Sequence, residues 1–165
     1  MTEHAKLSPS AAHRWIPCPA SVRLEAGIPD ISSPHAEEGT FAHEVAAAVL
    51  LSFRDDILPA GRYDQAILGL DALIHSYALF VFGQWKARGK DVPDEWLDAC
   101  QEHLPVYIDY VLSAYARYDG AVLLIERRVS LDPALPGQFG TADAIVVAPG
   151  AGELIDLKFG RGVRV

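Results

Sequence analysis

Gly140-Thr141-Ala142-Asp143-Ala144-Ile145-Val146-Val147-Ala148, the turn Pro149-Gly150-Ala151-Gly152, and Glu153-Leu154-Ile155-Asp156-Leu157-Lys158-Phe159 read as two β-strands and the connection between them. Small and β-branched apolar residues fill both runs, and a Pro/Gly cluster divides them. Side chains alternate faces along a strand. Asp156 and Lys158 therefore share one face, while Ile155, Leu157 and Phe159 occupy the other. With the turn centred on Gly150-Ala151, Ala148 pairs with Glu153, Asp143 with Lys158 and Ile145 with Asp156. Opposed residues lie on one face, so Asp143, Asp156 and Lys158 are expected to converge.

Two adjacent carboxylates repel and need a cation between them. Oxygen ligands select a hard ion such as Mg2+ or Mn2+. A neighbouring lysine can orient or deprotonate a water and stabilise the charge that builds on a phosphate. The set suits hydrolysis of a phosphodiester. The plainer alternative is a surface hairpin with a solvated Asp-x-Lys pair, since exposed ion pairs contribute little.

Upstream, Ala121 to Leu131 is rich in Val, Leu and Ile and predicts a first strand, so residues 119–165 form a three-stranded antiparallel meander. Residues 1–118 read as mainly helical. Ser8-Pro9-Ser10 is a helix-start signal for a short helix to Trp15, stopped by Pro17 and Pro19. Gly27 to His35 reads as a loop with three breakers. Longer helices are predicted at about 37–53, at 64–88 with weak points at Gly69 and Gly83, and at 94–118 with a kink at Pro105. Trp85, Trp96 and the tyrosines fall on the apolar stripes and read as core.

The chain has 165 residues, half of them hydrophobic and 22% charged, enough apolar surface for a single folded domain over 1–165. A net charge of −8 argues against a protein that coats nucleic acid by bulk electrostatics. The acidic excess is uneven: residues 1–118 hold 9 basic and 16 acidic residues, and residues 119–165 hold 5 and 6. Cys18 and Cys100 are too far apart to make a zinc knuckle. The polar N-terminus has no apolar signal region, and no stretch is long enough to span a bilayer, so a cytoplasmic location with no membrane partner is expected. A phosphate-cradling Gly-x-x-x-x-Gly-Lys loop and a Gly-x-Ser-x-Gly elbow are both absent. His43-Glu44 lacks a second histidine at Ala47, which removes the zinc-protease reading. Arg161 and Arg164 follow the last strand beside Gly160 and Gly162 and either grip phosphate through bidentate contacts or remain solvated.

Gly140-Thr141-Ala142-Asp143 followed by Ile155-Asp156-Leu157-Lys158-Phe159-Gly160 resembles the core of the PD-(D/E)XK nucleases, and within them the RecB-like exonuclease branch. The N-terminal segment agrees. Leu7-Ser8-Pro9-Ser10, Trp15 and Cys18-Pro19-Ala20-Ser21 are similar to that branch's opening, and Glu37-Glu38-Gly39-Thr40-Phe41-Ala42-His43-Glu44 resembles its glycine–histidine motif. The nearest likeness is to phage- and prophage-associated RecB-like proteins. The resemblance implies an α/β fold, a restriction-endonuclease-like core behind a mainly helical N-terminal part. It also implies a Mg2+- or Mn2+-dependent deoxyribonuclease, an exonuclease of phage DNA recombination or replication, with DNA and the proteins of those processes as partners.

Residue by residue, the resemblance makes His43, Asp143 and Asp156 metal ligands, with the Leu157 carbonyl completing the shell, and Lys158 the catalytic lysine. Asp143 and Asp156 share the catalytic role, Glu126 is a supporting acid on the first strand, and Arg161 and Arg164 touch DNA. Only Cys18 matches a cluster cysteine of the branch, so no iron–sulfur cluster is expected. In the family a helix bearing Gln-x-x-x-Tyr follows the last strand, and this sequence reaches Val165 without it. The expected core is therefore C-terminally truncated. The alternative expectation is a catalytically incomplete fragment that binds DNA or a phage protein.

Overall fold

The computed structural model describes residue 7 and residues 9–28, 33–133 and 135–159. The expected arginine contacts at 161 and 164 lie outside the described residues. Among the described residues the α-helices and strands follow in the order α1 (Ala12–Trp15), α2 (Ser21–Leu24), α3 (Pro34–Ser52), α4 (Tyr63–Leu68), α5 (Leu70–Ala87), α6 (Glu95–Ala116), β1 (Val122–Ser130), β2 (Phe139–Ala148) and β3 (Ala151–Ile155), with a 3-10 turn at Pro9–Ala11 before α1 and a π-helical turn at Phe53–Ile57 after α3. The fold is mixed α/β, with helices in the first part and a three-stranded antiparallel sheet of order β1-β2-β3 in the second. Among the described residues no helix is long and apolar enough to cross a membrane.

α3 starts inside the expected loop. Ser33 caps it, its hydroxyl accepting from the Ala36 N–H at 3.2 Å, and Pro34 takes the first helical position. A proline there costs no hydrogen bond, because that N–H has no partner inside the helix. Pro34 thus starts a helix where the sequence suggested a break. Gly69 does separate two helices, α4 and α5. Gly83 and Pro105 do not end theirs, since α5 and α6 run through them. Tertiary burial of Ile74, Ala78, Val81 and Trp85 on one helix, and of Leu104, Ile108, Val111 and Leu112 on the other, outweighs the local cost.

α3, α5 and α6 meet at an aromatic cluster. Phe41 lies 5.6 Å from Trp85 and 5.7 Å from Trp96, and the two indoles are 6.0 Å apart. Edge-to-face rings at these spacings add to the burial energy. The Trp85 indole N–H donates to the Glu44 carboxylate at 2.8 Å, so the buried ring loses no hydrogen bond. Cys100 lies in the same core, and burial pushes its thiol up to about 12. The apolar cluster continues without a break into the sheet through Leu123, Ile125, Ala144, Val146, Ile155 and Leu157.

The hairpin register differs from the expected one. Ala148 pairs with Ala151, Val146 with Glu153 and Ala144 with Ile155. The connection is a two-residue turn, Pro149-Gly150, rather than a four-residue one. Gly150 sits at φ +78°, the conformation the second central residue of a proline-led type II turn requires. The partners are displaced by two positions. A two-residue shift leaves every side chain on its original face, whereas a one-residue shift would invert them all. The ladder also ends at Ile155 rather than at Phe159. Alternation outlives it: Ile155 and Leu157 are buried, and Asp156 and Lys158 are exposed.

The N-terminal segment closes over the start of β2. The Leu7 N–H donates to the Gln138 side chain at 2.9 Å. Pro9 lies against Gly140 so closely that a Cβ there would fall 2.7 Å from the proline Cγ. Glycine at 140 is thus a packing requirement.

Candidate metal centre

Three side chains of metal-ligand type, from three elements, come together. His43 of α3, Glu126 of β1 and Asp143 of β2 each offer one ligand atom, and these atoms lie within 4.8 Å of one another. The His43 Nδ1 is 3.1 Å from the Asp143 Oδ1. The other oxygen, Oδ2, accepts the Leu157 backbone N–H at 2.6 Å. Asp143 is therefore fixed from both sides, by a helix and by the segment that leaves the sheet. That bond also explains the early end of β3, since the Leu157 donor is taken by a carboxylate instead of by a strand carbonyl.

Glu126 and Asp143 face each other across β1 and β2. The ladder passes over this pair and resumes in the same register, Ile125 with Ala144 and Arg127 with Ala142. Glu126 has φ +48°, and it is the one non-glycine residue with a positive φ among the described residues. A side chain in the left-handed region costs of order 1–3 kcal/mol, and such strain gathers at functional sites. The kink falls at the residue that completes the three-ligand cluster.

The electrostatics follow from this geometry. The Asp143 hydrogen bond raises the His43 pKa above the ordinary 6.5; burial opposes it, and the charges of Asp143, Glu126 and Asp156 add to it. For Asp143, burial would raise the pKa, but the bonds from His43 and Leu157 outweigh it, and the carboxyl stays below 3.8. Partial burial, then the Asp143 charge, raises Glu126 above 4.5. Burial and the Asp143, Glu126 and Asp156 carboxylates push the Tyr107 phenol up. Tyr107 keeps its proton beside the cluster and remains a donor. Its place on the apolar stripe of α6 marks it only as core, and nothing in the local pattern signals the acidic neighbours.

The other expected site residues stand differently. Asp156 and Lys158 are not in the three-residue cluster. They pair with each other at 2.6 Å, the lysine side chain 83% exposed and the aspartate 50%. Their charges still reach it, Asp156 acting on His43 and Lys158 on Asp143. The expected contact of Asp143 with Lys158 across the hairpin is replaced by the Leu157 N–H, because the two-position register shift takes Lys158 away from the place opposite Asp143. Leu157 itself enters through its N–H. Glu126, expected only in support, stands among the three closest groups.

An imidazole and two carboxylates offer nitrogen and oxygen donors that fit a divalent ion such as Mn2+ or Mg2+. The contact of the His43 Nδ1 with the Asp143 Oδ1 fixes the ring orientation, and a neutral imidazole is the state in which a histidine binds metal. An open groove of about 890 Å3 adjoins the cluster, with His43, Glu126, Thr141 and Phe159 among its lining residues.

The family model described as "Protein of unknown function (DUF2800)" matches residues 4–165. No solved structure matches the chain.

Proposed function

We propose that this chain, which belongs to the DUF2800 family, is a divalent-metal-dependent deoxyribonuclease with a PD-(D/E)XK core of the RecB-like kind, acting in phage or prophage DNA recombination or replication. One observation carries the reading: His43, Glu126 and Asp143 bring their ligand atoms within 4.8 Å of one another. The sheet order and the resemblance in residues 140–160 support the same core.

The roles follow from the contacts. Asp143 and Glu126 would hold the cation jointly, which offsets the repulsion between their charges. His43, oriented by Asp143, supplies the third donor. The Leu157 N–H holds Asp143 in place. A bound divalent ion supplies Lewis acidity toward a phosphodiester oxygen and lowers the pKa of water. Lys158, ion-paired with Asp156 outside the three-residue cluster, is the cationic group that would neutralise charge on a departing oxygen.

Linear DNA incubated with the purified chain in Mg2+ or Mn2+ tests the proposal. Cleavage is expected, with a loss of at least about a hundredfold in Asp143→Asn. Cleavage that persists undiminished in Asp143→Ala would refute it. A second reading, a metal- and DNA-binding module without hydrolysis, is favoured by the outward Asp156–Lys158 pair. It predicts a Mn2+-induced rise in melting temperature with no cut DNA.

A further inference from the structure

On the sheet face that carries the cluster, cross-strand pairs of β1 and β2 stack in rows. Glu126 stands opposite Asp143, Arg128 pairs with Thr141, and Ser130 pairs with Phe139. Opposed residues share a face, and so do residues two apart on one strand. Arg128 therefore lies one row beyond the acids, about 7 Å along the strand. Thr141, its partner, lines the groove together with His43 and Glu126.

Arg128 is exposed, and its guanidinium carbon sits 3.4 Å from the centre of the Phe139 ring. The stack holds the planar group at the sheet surface and leaves the N–H donors along its edge free. Among the described residues no carboxylate forms an ion pair with it. Asp132, the acid beyond Ser130, is committed within its own loop: its carboxylate accepts the Gly137 N–H at 3.1 Å and the Ser130 hydroxyl at 3.0 Å. Arg127 is also exposed, but it stands opposite Ala142, on the face where Gly140 meets Pro9. An oriented guanidinium without an acid, in a chain of net charge −8, attracts an anion, and a phosphate accepts two parallel N–H bonds from it. The offset of Arg128 from the acids is close to the spacing of neighbouring phosphates on one DNA strand. Resting on the nuclease reading, we propose that Arg128 is a substrate-binding residue: it grips the phosphodiester next to the one at His43, Glu126 and Asp143, with Phe139 as its brace.

Fluorescence anisotropy of a dye-labelled DNA oligonucleotide with the purified full chain in EDTA reads binding without cleavage, and a KCl series gives its salt dependence. Arg128→Ala is expected to weaken binding about tenfold and to reduce the slope of log K against log salt by about one, the mark of one lost phosphate contact. Arg128→Lys keeps the charge without the planar group and should recover only part of the affinity. Arg127→Ala should cost no more than about twofold, as a solvated charge on the other face. Arg128 is exposed, so the melting temperature of Arg128→Ala should stay close to the parent's. Inorganic phosphate should displace no more DNA than KCl of equal ionic strength does. Greater displacement would assign the arginine to a small free anion and overturn the inference. So would a parent chain that binds no DNA, an unchanged affinity and slope in Arg128→Ala, or an equal loss in Arg127→Ala. The two proposals fail separately. Binding that depends on Arg128, with no DNA cut in Mg2+ or Mn2+, removes the nuclease reading alone. DNA cut by the parent and by Arg128→Ala with the same KM removes the Arg128 assignment alone.

Discussion

The helical part and the sheet solve different problems with the same chain. In α3, α5 and α6, nearly all buried positions are apolar and the backbone hydrogen bonds stay within each helix. Phe41, Trp85 and Trp96 lock three helices at one point, and the indole of Trp85 is satisfied by Glu44. In β1 and β2 the order reverses. The ladder skips a residue pair, two carboxylates face each other, and a non-glycine backbone is held at φ +48°. The helices supply stability, and the sheet uses some of it to hold groups that repel. A site built this way is expected to be less stable locally than its frame, as functional regions commonly are.

The largest effect should come from the frame. Ile108→Ala removes a fully buried side chain from the middle of α6 and is expected to cost about 2–5 kcal/mol in denaturant unfolding. A loss under about 1 kcal/mol would mean the helices are not the main store of stability. Next is the clasp between the N-terminal segment and β2. Gly140→Ala places a Cβ 2.7 Å from the Pro9 Cγ, and the overpacking should cost about 1–3 kcal/mol. Pro9→Ala in the same chain should recover much of that loss, since it removes the ring atom in the way.

Glu126→Gly sharpens the contrast because its two effects have opposite signs. Glycine adopts φ +48° without strain, and the repulsion with Asp143 disappears. The metal-free protein should gain about 1 kcal/mol. The melting-temperature rise on adding Mn2+ should be lost. A variant that is destabilised and still responds to Mn2+ would separate the kink from the site.

The smallest effect is a pH dependence of the metal-free protein. His43 is raised above 6.5, so its contribution to stability is complete below pH 6.5 and is lost as pH rises through its folded value. Asp143 lies below 3.8, so its contribution is complete above that pH and is lost as pH falls through its folded value. The pair therefore stabilises most between pH 3.8 and 6.5. The melting-temperature gap between the parent chain and Asp143→Asn should be widest in that window and narrow above it. A gap independent of pH would show that the pair does not act through charge.

Much of the helical frame is legible in the chain because it follows period and capping. The apolar positions of α5 and α6 repeat at helical spacing; α6 ends close to the expected bounds, and the expected helix at 64–88 is present but divided at Gly69 into α4 and α5. The exception, Pro34, has a specific cause: its meaning depends on whether Ser33 caps the turn it begins. In the sheet, alternation marks the faces of Asp143, Asp156 and Lys158, and those faces survive the two-residue register change. The turn length does not show in the pattern, since Pro149 to Gly152 are all turn formers. Glu126 illustrates the harder case. Its position opposite Asp143 follows from the β1 register, which depends on the long connection between Ser130 and Phe139 and on no local signal.

Composition, period and parity were enough to divide this chain into a helical part followed by strands and to single out Asp143, Asp156 and Lys158, while His43 and Glu126 drew attention only through the resemblance of their motifs to a nuclease branch. Those properties are local, and local geometry repeats along a chain whatever it later touches. Which acids meet the imidazole, that Lys158 pairs outward with Asp156, and that an apolar groove adjoins the acids all arise from distant segments packing together. The ligands that come within 4.8 Å of each other are separated by up to 100 residues. Only a shared core, closed around Phe41, Leu123 and Ala144, brings them to one point.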